Sequence, residues 1–311
     1  MARVTVVGSY IAALVMDTDR IPVEGETVMG RNYHTTHGGK GSNMAVCASR
    51  LGIRSSFLGK IGKDQFGEDF IALLESENVD HNYVLYSEEL PTAVGFIVFS
   101  KQGSNLIVID IAANGEFLPP DVEQNSELIR KSDVVLSPLE IPLETALAGA
   151  KVAKANGIPA ILNPAPAVDL RDVDLSNVFV LTPNETEGRV CLGMDANAEI
   201  SDEELTERLL DLGTEHVLLT IGAKGVLWAS HQNGLRHIPA LSVNVVDSVG
   251  AGDAFNAGLA VGLAQGKSMA EGIALGITAG SLSTEKRETI DSYPFREAVD
   301  ARIDEVLKNI T

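Results

Sequence analysis

The sequence has few of the features that define several classes of protein. It has two cysteines, Cys47 and Cys191, each inside an apolar segment, and it has no Cys-x-x-Cys pair. That pattern excludes a disulfide scaffold and a cysteine zinc site, and buried free thiols are typical of the cytoplasm. No apolar run reaches the roughly 18 residues that a membrane helix needs. The first ten residues already have a strand pattern, so we expect no signal peptide.

Positive charge is also scarce. The chain has 24 Lys and Arg against 43 Asp and Glu, which gives a formal net charge of −19. This balance argues against a nucleic-acid partner, because phosphate backbones are bound by clustered Lys and Arg. It is compatible with a small anionic ligand, since a few focused cations and helix N-termini suffice to bind one. From 311 residues we expect one domain that spans residues 1–311.

Short apolar runs alternate with longer segments of helical period along most of the chain. Strands are predicted at residues 4–8, 56–61, 134–137, 160–162, 178–181, 217–221 and 225–229, and helices at 41–51, 66–77, 143–155 and 202–212. This order predicts an α/β fold with a doubly wound, mainly parallel central sheet flanked by helices.

One stretch breaks that rhythm. Residues 92–100 and 105–111 predict two strands joined by a hairpin turn, and residues 28–36 also have β character. Together they predict a small second β-sheet, from about residues 10–37 and 91–112, inserted in the main domain. It is either a lid that moves over a site or a fixed edge sheet, and the sequence leaves both open.

The segment with the strongest chemical signal is DSVGAGDAF at residues 247–255. It follows an apolar run at residues 243–246 that predicts a strand, and it precedes an amphipathic helix. A glycine-rich turn into a helix leaves backbone N–H groups free to bind an anion. Asp253 would lie in the first helical turn, where its carboxylate could accept a proton from a substrate hydroxyl. The alternative is an ordinary helix start.

Three more segments have polar groups at turns. GGKGSN at residues 38–43 offers Lys40 and Asn43 to a ligand, without the spacing of a Walker motif. TPNETE at residues 182–187 places Asn184 and Glu187 on one face of a helix start, where they either hold the water shell of Mg²⁺ or cap the helix. TIGAKG at residues 220–225 is a tight turn that either cradles phosphate or only joins two strands.

With NPAP at residues 163–166, these segments stand in the order found in the PfkB carbohydrate kinases, and the chain resembles the ribokinase branch of that family from about residue 4 to 294. The resemblance implies a doubly wound α/β domain with a small lid that often forms a dimer contact. It also implies transfer of the γ-phosphate of ATP, with Mg²⁺, to a hydroxyl of a small sugar-like substrate. A cytoplasmic homodimer joined through the lid is the corresponding expectation.

The resemblance further implies roles for individual residues. The catalytic group would comprise Asp253 as base and an anion hole formed by the N–H groups of Gly250, Ala251 and Gly252. The substrate would be contacted by Gly39, Lys40, Asn43 and Glu140.

The resemblance also implies a nucleotide side and a cation loop. The nucleotide and Mg²⁺–phosphate face would comprise Asn184, Glu187, Thr220, Gly222, Lys224 and Gly225. Asp247 and the backbone of Val249 match half of a K⁺ loop, whose other half would lie at residues 283–292.

Two departures from the ribokinase pattern affect the expected substrate and activator. Ile11 and Ala13 stand where ribokinases have an Asn and an Asp that hold sugar hydroxyls. The cation loop reads TEKRET at residues 284–289 instead of a short turn, which leaves activation by K⁺ open. We therefore expect a sugar or sugar derivative other than ribose. The alternatives are a nucleoside kinase of the same family and a non-catalytic sugar- or nucleotide-binding regulator.

Overall fold

The computed structural model describes residues 2–310 of the chain. Within that range the strands are β1 (Arg3–Val7), β2 (Ile11–Thr18), β3 (Arg31–Gly38), β4 (Arg54–Ile61), β5 (Asp80–Tyr86), β6 (Val94–Ser100), β7 (Asn105–Asp110), β8 (Val134–Pro138), β9 (Ala160–Asn163), β10 (Val180–Leu181), β11 (His216–Thr220), β12 (Val226–Ser230) and β13 (Gly234–Ile238). The helices are α1 (Lys40–Arg50), α2 (Gln65–Ser76), α3 (Ala112–Gly115), α4 (Pro119–Gln124), α5 (Ser126–Arg130), α6 (Leu143–Ala155), α7 (Glu185–Cys191), α8 (Asp202–Leu210), α9 (Ala251–Ala264), α10 (Met269–Ser283), α11 (Arg296–Asp300) and α12 (Ile303–Leu307).

Nine strands form one large sheet in the order β13-β12-β11-β10-β9-β8-β1-β4-β5. The pairs from β11 through to β5 are parallel, and β12 and β13 add an antiparallel edge. β1 therefore lies inside the sheet, where chain order reverses between β8 and β4. Open α/β sheets bind ligands at such a reversal, beyond the carboxyl ends of the strands. The predicted fold class is confirmed.

Both faces of the large sheet are covered, which explains the continuous apolar character of its strands. On one face, Val4 and Val6 of β1 join a core with Met44 of α1 and Leu259 of α9. On the other face, Val7 joins a core formed with α6 and α8. Between residues 2 and 310, no helix is both long enough and apolar enough to cross a bilayer.

A separate sheet with strand order β3-β2-β6-β7 forms the predicted lid. β6 and β7 are the expected hairpin, and β2 runs parallel to β6 with Ala12 opposite Val94. Several large apolar side chains on this sheet remain exposed, including Phe96 at 53% and Val108 at 57%. The lid therefore carries apolar surface that no other part of residues 2–310 covers.

Some local predictions are wrong. The strand predicted at residues 243–246 does not form: Val245 and Val246 are exposed, and the N–H groups of Val246 and Asp247 donate to the Thr284 carbonyl instead of a strand. The strand predicted at residues 178–181 is only Val180–Leu181, and the helix predicted at 202–212 ends at Leu210. β-branched residues favour extended backbone, but a strand also needs a neighbouring edge with which to pair.

Candidate active site

A polar cavity of about 190 Å³ lies among the motifs singled out in the sequence. Its lining residues come from segments distant in the chain: Lys40, Asn163, Thr182, Asn184, Glu187, Thr220, Ser248, Gly250, Gly252, Asp253 and Asn256. The fold thus brings GGKGSN, NPAP, TPNETE and GAGD together with the start of TIGAKG.

Asp253 is 4% exposed in the first turn of α9. Its Oδ2 accepts a hydrogen bond of 2.8 Å from Asn43 Nδ2, although the two residues are 210 positions apart. Burial raises the pKa of the Asp253 carboxyl, and Lys40, Asn43 and the Tyr293 hydroxyl oppose that rise by stabilising the charged form. Asp253 is therefore a buried carboxylate whose pKa is set by the balance between burial and its polar neighbours, as is typical of a general base.

The turn before α9 presents backbone donors to the same cavity. Gly250 has a left-handed backbone with a φ of 79°, and an added Cβ would lie 2.7 Å from the Tyr293 hydroxyl oxygen. In the described range of the chain, the N–H groups of Gly250 and Gly252 have no hydrogen-bond partner, whereas Ala251 N donates to Ser248 O at 3.3 Å. Free N–H groups at the positive end of a helix are suited to bind phosphate.

Lys40 supplies the positive charge of the cavity. Asp253 is the main cause of a raised pKa for the Lys40 ammonium, and Glu140 and Glu187 add to it in spite of burial. One cation is thus surrounded by three carboxylates in an otherwise strongly acidic chain. The carboxylates keep the Lys40 ammonium charged, so it can pair with a phosphate that enters the cavity.

Glu140 follows β8 and is tied to the start of α1. Its Oε2 accepts from Ser9 Oγ at 2.6 Å and from the Lys40 backbone N at 2.7 Å. A Cβ on Gly41 would lie 2.4 Å from Ser9 N, so only glycine lets α1 begin this close to the end of β1. Gly39, with a φ of 90°, makes the turn into the helix. Ser9 was not identified from the sequence, although it directly follows the first predicted strand.

Asn184 and Glu187 form a reciprocal cap at the start of α7. Asn184 Oδ1 accepts from Glu187 N at 2.8 Å, and Glu187 Oε2 accepts from Asn184 N at 2.9 Å. The capping alternative is therefore present in the structure, yet both residues also line the cavity. Glu187 Oε1 takes no part in the cap, and carboxylate and amide oxygens are hard donors of the kind that Mg²⁺ prefers, so the pair fits an ion held through water.

The comparisons with known proteins agree with this geometry. Residues 1–296 match the family described as pfkB family carbohydrate kinase. Ribokinase of Haemophilus influenzae is 36% identical over 94% of this chain and 95% of its own, and deoxyribokinase of Salmonella typhi is 33% identical over 94% and 96%. The solved structure of Arabidopsis thaliana ribokinase complexed with ribose and ATP matches with a TM-score of 0.90 at 30% identity, covering 97% of this chain and 99% of that one.

The chain belongs to the PfkB family of carbohydrate kinases. It is a sugar kinase, a phosphotransferase whose acceptor is an alcohol group.

Not every residue assigned to the nucleotide side of this PfkB kinase lines the cavity. Thr220 does, and its N–H donates to Pro183 O at 2.9 Å, which joins the TIGAKG turn to the TPNETE segment. Lys224 instead points to Asp202, with Nζ 3.4 Å from Oδ2. Gly222 and Gly225 have positive φ angles, and a Cβ on Gly225 would collide with the Ile238 carbonyl. The turn is therefore well defined, but its far end lies outside the cavity.

The two halves of the expected cation loop lie together. Asp247 Oδ1 accepts from Val249 N at 3.1 Å, and Oδ2 accepts from Glu288 N at 3.4 Å. Between residues 2 and 310, no three His, Cys, Asp or Glu side chains cluster as a metal site. Carboxylates alone therefore do not form a cation site among the described residues, and a K⁺ held here would need backbone carbonyl groups as further ligands.

Ile11 and Ala13 lie on one face of β2 and are nearly fully buried, at 4% and 6% exposure. Their neighbours on the same face are small, since Ile11 pairs with Gly38 and Ala13 pairs with Gly95 across the lid. The intervening Ala12 faces the opposite side, toward a groove beside α2. This face of the lid therefore offers apolar surface and no side-chain acceptor at the positions of Ile11 and Ala13.

Several polar groups in the site of this kinase were not assigned a role from the sequence. Thr182 Oγ1 donates to Asn256 Oδ1 at 2.7 Å, and Asn163 Nδ2 donates to the Thr182 carbonyl at 2.8 Å. Asn163 and Thr182 lie inside the NPAP and TPNETE motifs, and that position was the only sequence signal for their presence in the site. Tyr293 had none, because its proximity to Asp253 arises from tertiary packing.

Proposed function

We propose that this kinase transfers the γ-phosphate of ATP to a hydroxyl of a sugar or sugar derivative, with Asp253 as the base. The observation that supports this most directly is the buried Asp253 carboxylate beside the free N–H groups of Gly250 and Gly252 and the Lys40 ammonium. A binding protein without turnover needs no base, so the buried carboxylate beside an anion-binding turn favours catalysis.

In the proposed reaction, Asp253 accepts the proton of the substrate hydroxyl while that oxygen forms its bond to phosphorus. ATP, when bound, supplies the phosphoryl group and leaves as ADP with the electron pair of the broken P–O bond. Gly250 N, Gly252 N and Lys40 would stabilise the negative charge on the transferred group. Asn43 holds the Asp253 carboxylate, and its own Oδ1 is buried without a partner in the described chain, so a substrate hydroxyl would satisfy it.

We propose that Asn184 and Glu187 act on a Mg²⁺–phosphate face through water, and Glu187→Gln tests this. The substitution keeps the side-chain size and an oxygen acceptor but removes the charge. We expect the Mg²⁺ concentration for half-maximal rate to rise by several-fold, with a smaller change in the sugar KM, because a neutral oxygen binds hydrated Mg²⁺ more weakly. Kinetic titration of Mg²⁺ at saturating ATP measures the midpoint.

The matched control is Glu271→Gln. Glu271 forms the same reciprocal cap with Ser268 at the exposed start of α10, away from the cavity. It should leave the Mg²⁺ midpoint unchanged. Equal midpoints for Glu187→Gln and the wild type would limit Glu187 to its capping role.

We propose that the substrate has fewer hydroxyls, or an apolar substituent, at the end that faces the lid. The names of the relatives include both ribokinase and deoxyribokinase, so they are compatible with either kind of sugar. Ile11 and Ala13 favour the less hydroxylated one, because a sugar hydroxyl buried there without a partner loses about 1–3 kcal/mol.

The comparison that decides the substrate is kcat/KM for ribose, 2-deoxyribose, other deoxy-sugars, ketoses, polyols and nucleosides. We expect ribose to be about 5- to 150-fold worse than the preferred sugar. The double variant Ile11→Asn, Ala13→Asp should shift the preference toward ribose. A wild-type kcat/KM for ribose of about 10⁴ M⁻¹s⁻¹ or higher would contradict the proposal, and turnover of nucleosides alone would identify a nucleoside kinase.

We also propose a cytoplasmic homodimer that is joined through the lid. The exposed apolar side chains of β6 and β7 support this contact, since large exposed apolar patches mark interaction surfaces. The free, buried thiols of Cys47 and Cys191 are consistent with a reducing compartment.

A further inference from the structure

A tyrosine from the C-terminal part of the chain lies beneath the anion-binding turn. Tyr293 is 1% exposed, and its hydroxyl oxygen is buried with no hydrogen-bond partner among the described residues. This oxygen lies so close to Gly250 that a Cβ there would approach it to 2.7 Å. Buried hydroxyl groups are normally paired, so this one calls for a functional explanation.

The charged group with the largest effect on the Tyr293 hydroxyl is the Asp253 carboxylate, which follows Gly250 in the first turn of α9. Burial together with Asp253 raises the pKa of Tyr293 well above its usual value, and the hydroxyl in turn favours the charged form of Asp253. The phenol therefore stays protonated and can only donate to the carboxylate. The other titratable groups that act electrostatically on Asp253 are Lys40, Glu140, Glu187 and Cys47.

The backbone of Tyr293 is held in place from the far end of α1. Arg50 Nη1 donates to Ile290 O at 2.5 Å and to Tyr293 O at 3.2 Å, and Arg50 is ion-paired with Glu77 at 2.6 Å. Asn43, which donates to Asp253, lies two turns earlier on the same helix. α1 thus carries the Asn43 donor and also anchors the backbone of Tyr293.

We propose that Tyr293 is a positioning residue for Asp253, and that its hydroxyl donates to the carboxylate and holds it ready to take the substrate proton. This inference rests on the proposed role of Asp253 as the base. It adds a donor from a segment that the motifs did not single out.

The test is Tyr293→Phe, which keeps the ring and removes only the hydroxyl. Loss of a donor to a carboxylate raises the pKa of that carboxylate, so the acid limb of the kcat/KM–pH profile should move up by about one pH unit. At a pH below the limb, kcat/KM of Tyr293→Phe should be about tenfold lower than that of the wild type. On the upper plateau the two values should agree within about twofold. The sugar used is one that the wild type turns over, and protonation of ATP affects both proteins equally.

Two further measurements separate positioning from a purely structural role. In an Asp253→Asn background, Tyr293→Phe should change the residual rate very little, because the group through which it acts is already gone. Ser55→Ala is the matched control, since it also removes a buried, unpartnered hydroxyl, but on β4. It should leave the acid limb in place.

An unmoved acid limb in folded Tyr293→Phe would overturn the inference, as would an equal loss in the Asp253→Asn background. If Tyr293→Phe does not fold, 3-fluorotyrosine placed at position 293 keeps the hydroxyl and makes it a stronger donor. The acid limb should then move to lower pH, and an unmoved limb would again overturn the inference. Failure of the proposed function would look different, because the wild type would then phosphorylate no sugar.

Discussion

Asp253→Asn should abolish most turnover while leaving nucleotide binding intact. Loss of a positioned general base lowers the rate by about 10²–10⁴-fold, and the amide cannot take the substrate proton as the carboxylate does. The substitution preserves size, and Asn43 still has a polar atom to bond in place of Asp253 Oδ2. The free N–H groups of Gly250 and Gly252 are unchanged, so the Kd for Mg²⁺–ATP, measured by calorimetry, should stay within about threefold.

The matched control for Asp253→Asn is Asp121→Asn. Asp121 is a partly buried carboxylate paired with Lys60 at 2.8 Å, outside the cavity. Its substitution should lower Tm and leave kcat unchanged. A value of kcat near that of the wild type in Asp253→Asn, measured on the preferred sugar, would refute the assignment of the base.

Lys40→Met should have an effect of similar size through a different step. Methionine keeps the aliphatic length, and the Lys40 backbone bond to Glu140 does not depend on the side chain. The Lys40 ammonium has the largest effect in lowering the pKa of Asp253, and it lines the cavity with Gly250 and Gly252. Without it, charge on the transferred phosphoryl group loses its main compensation, and we expect kcat/KM to fall by about 10³-fold.

A second consequence of Lys40→Met concerns pH. Lys40 is the largest influence that lowers the pKa of the buried Asp253. Its loss should therefore raise that pKa and move the acid limb of kcat/KM to higher pH. The control Lys60→Met removes an ammonium paired with Asp121 elsewhere and should leave both the rate and the limb unchanged. A decrease of less than tenfold for Lys40→Met would show that its charge is not needed for transfer.

The segments predicted correctly from the sequence are those whose signal is local. The turn at GGKGSN and the start of α9 each depend on glycines and on a nearby apolar period, so a short window contains the information. β2 was missed because residues 11–18 show no strict alternation, and its strand character depends on pairing with β6 far along the chain. The predicted strand at residues 243–246 is the reverse case. Its residues favour extended backbone, but no neighbouring strand is available for pairing.

The same distinction holds for the site. Asp253, Lys40 and Glu187 stood in motifs and are found together around the cavity. Tyr293 could not be predicted, because it approaches Asp253 only after the C-terminal segment packs against α1. Lys224 lies in the TIGAKG motif and is charged, yet its side chain pairs with Asp202 instead of lining the cavity. A motif fixes the backbone of a turn more firmly than the direction of a long side chain.

The contact between Arg50 and the Ile290 and Tyr293 carbonyls has a consequence for how the protein is made. During translation α1 emerges from the ribosome early, but the carbonyl groups that Arg50 binds lie about 240 residues later in the chain. The hydrogen bond from Asn43 to Asp253 likewise cannot form until residue 253 has been made. A nascent chain can complete its first strands and helices while the catalytic centre is still unformed. Catalytic competence is then acquired only after residues 290–293 have been made and have docked against α1.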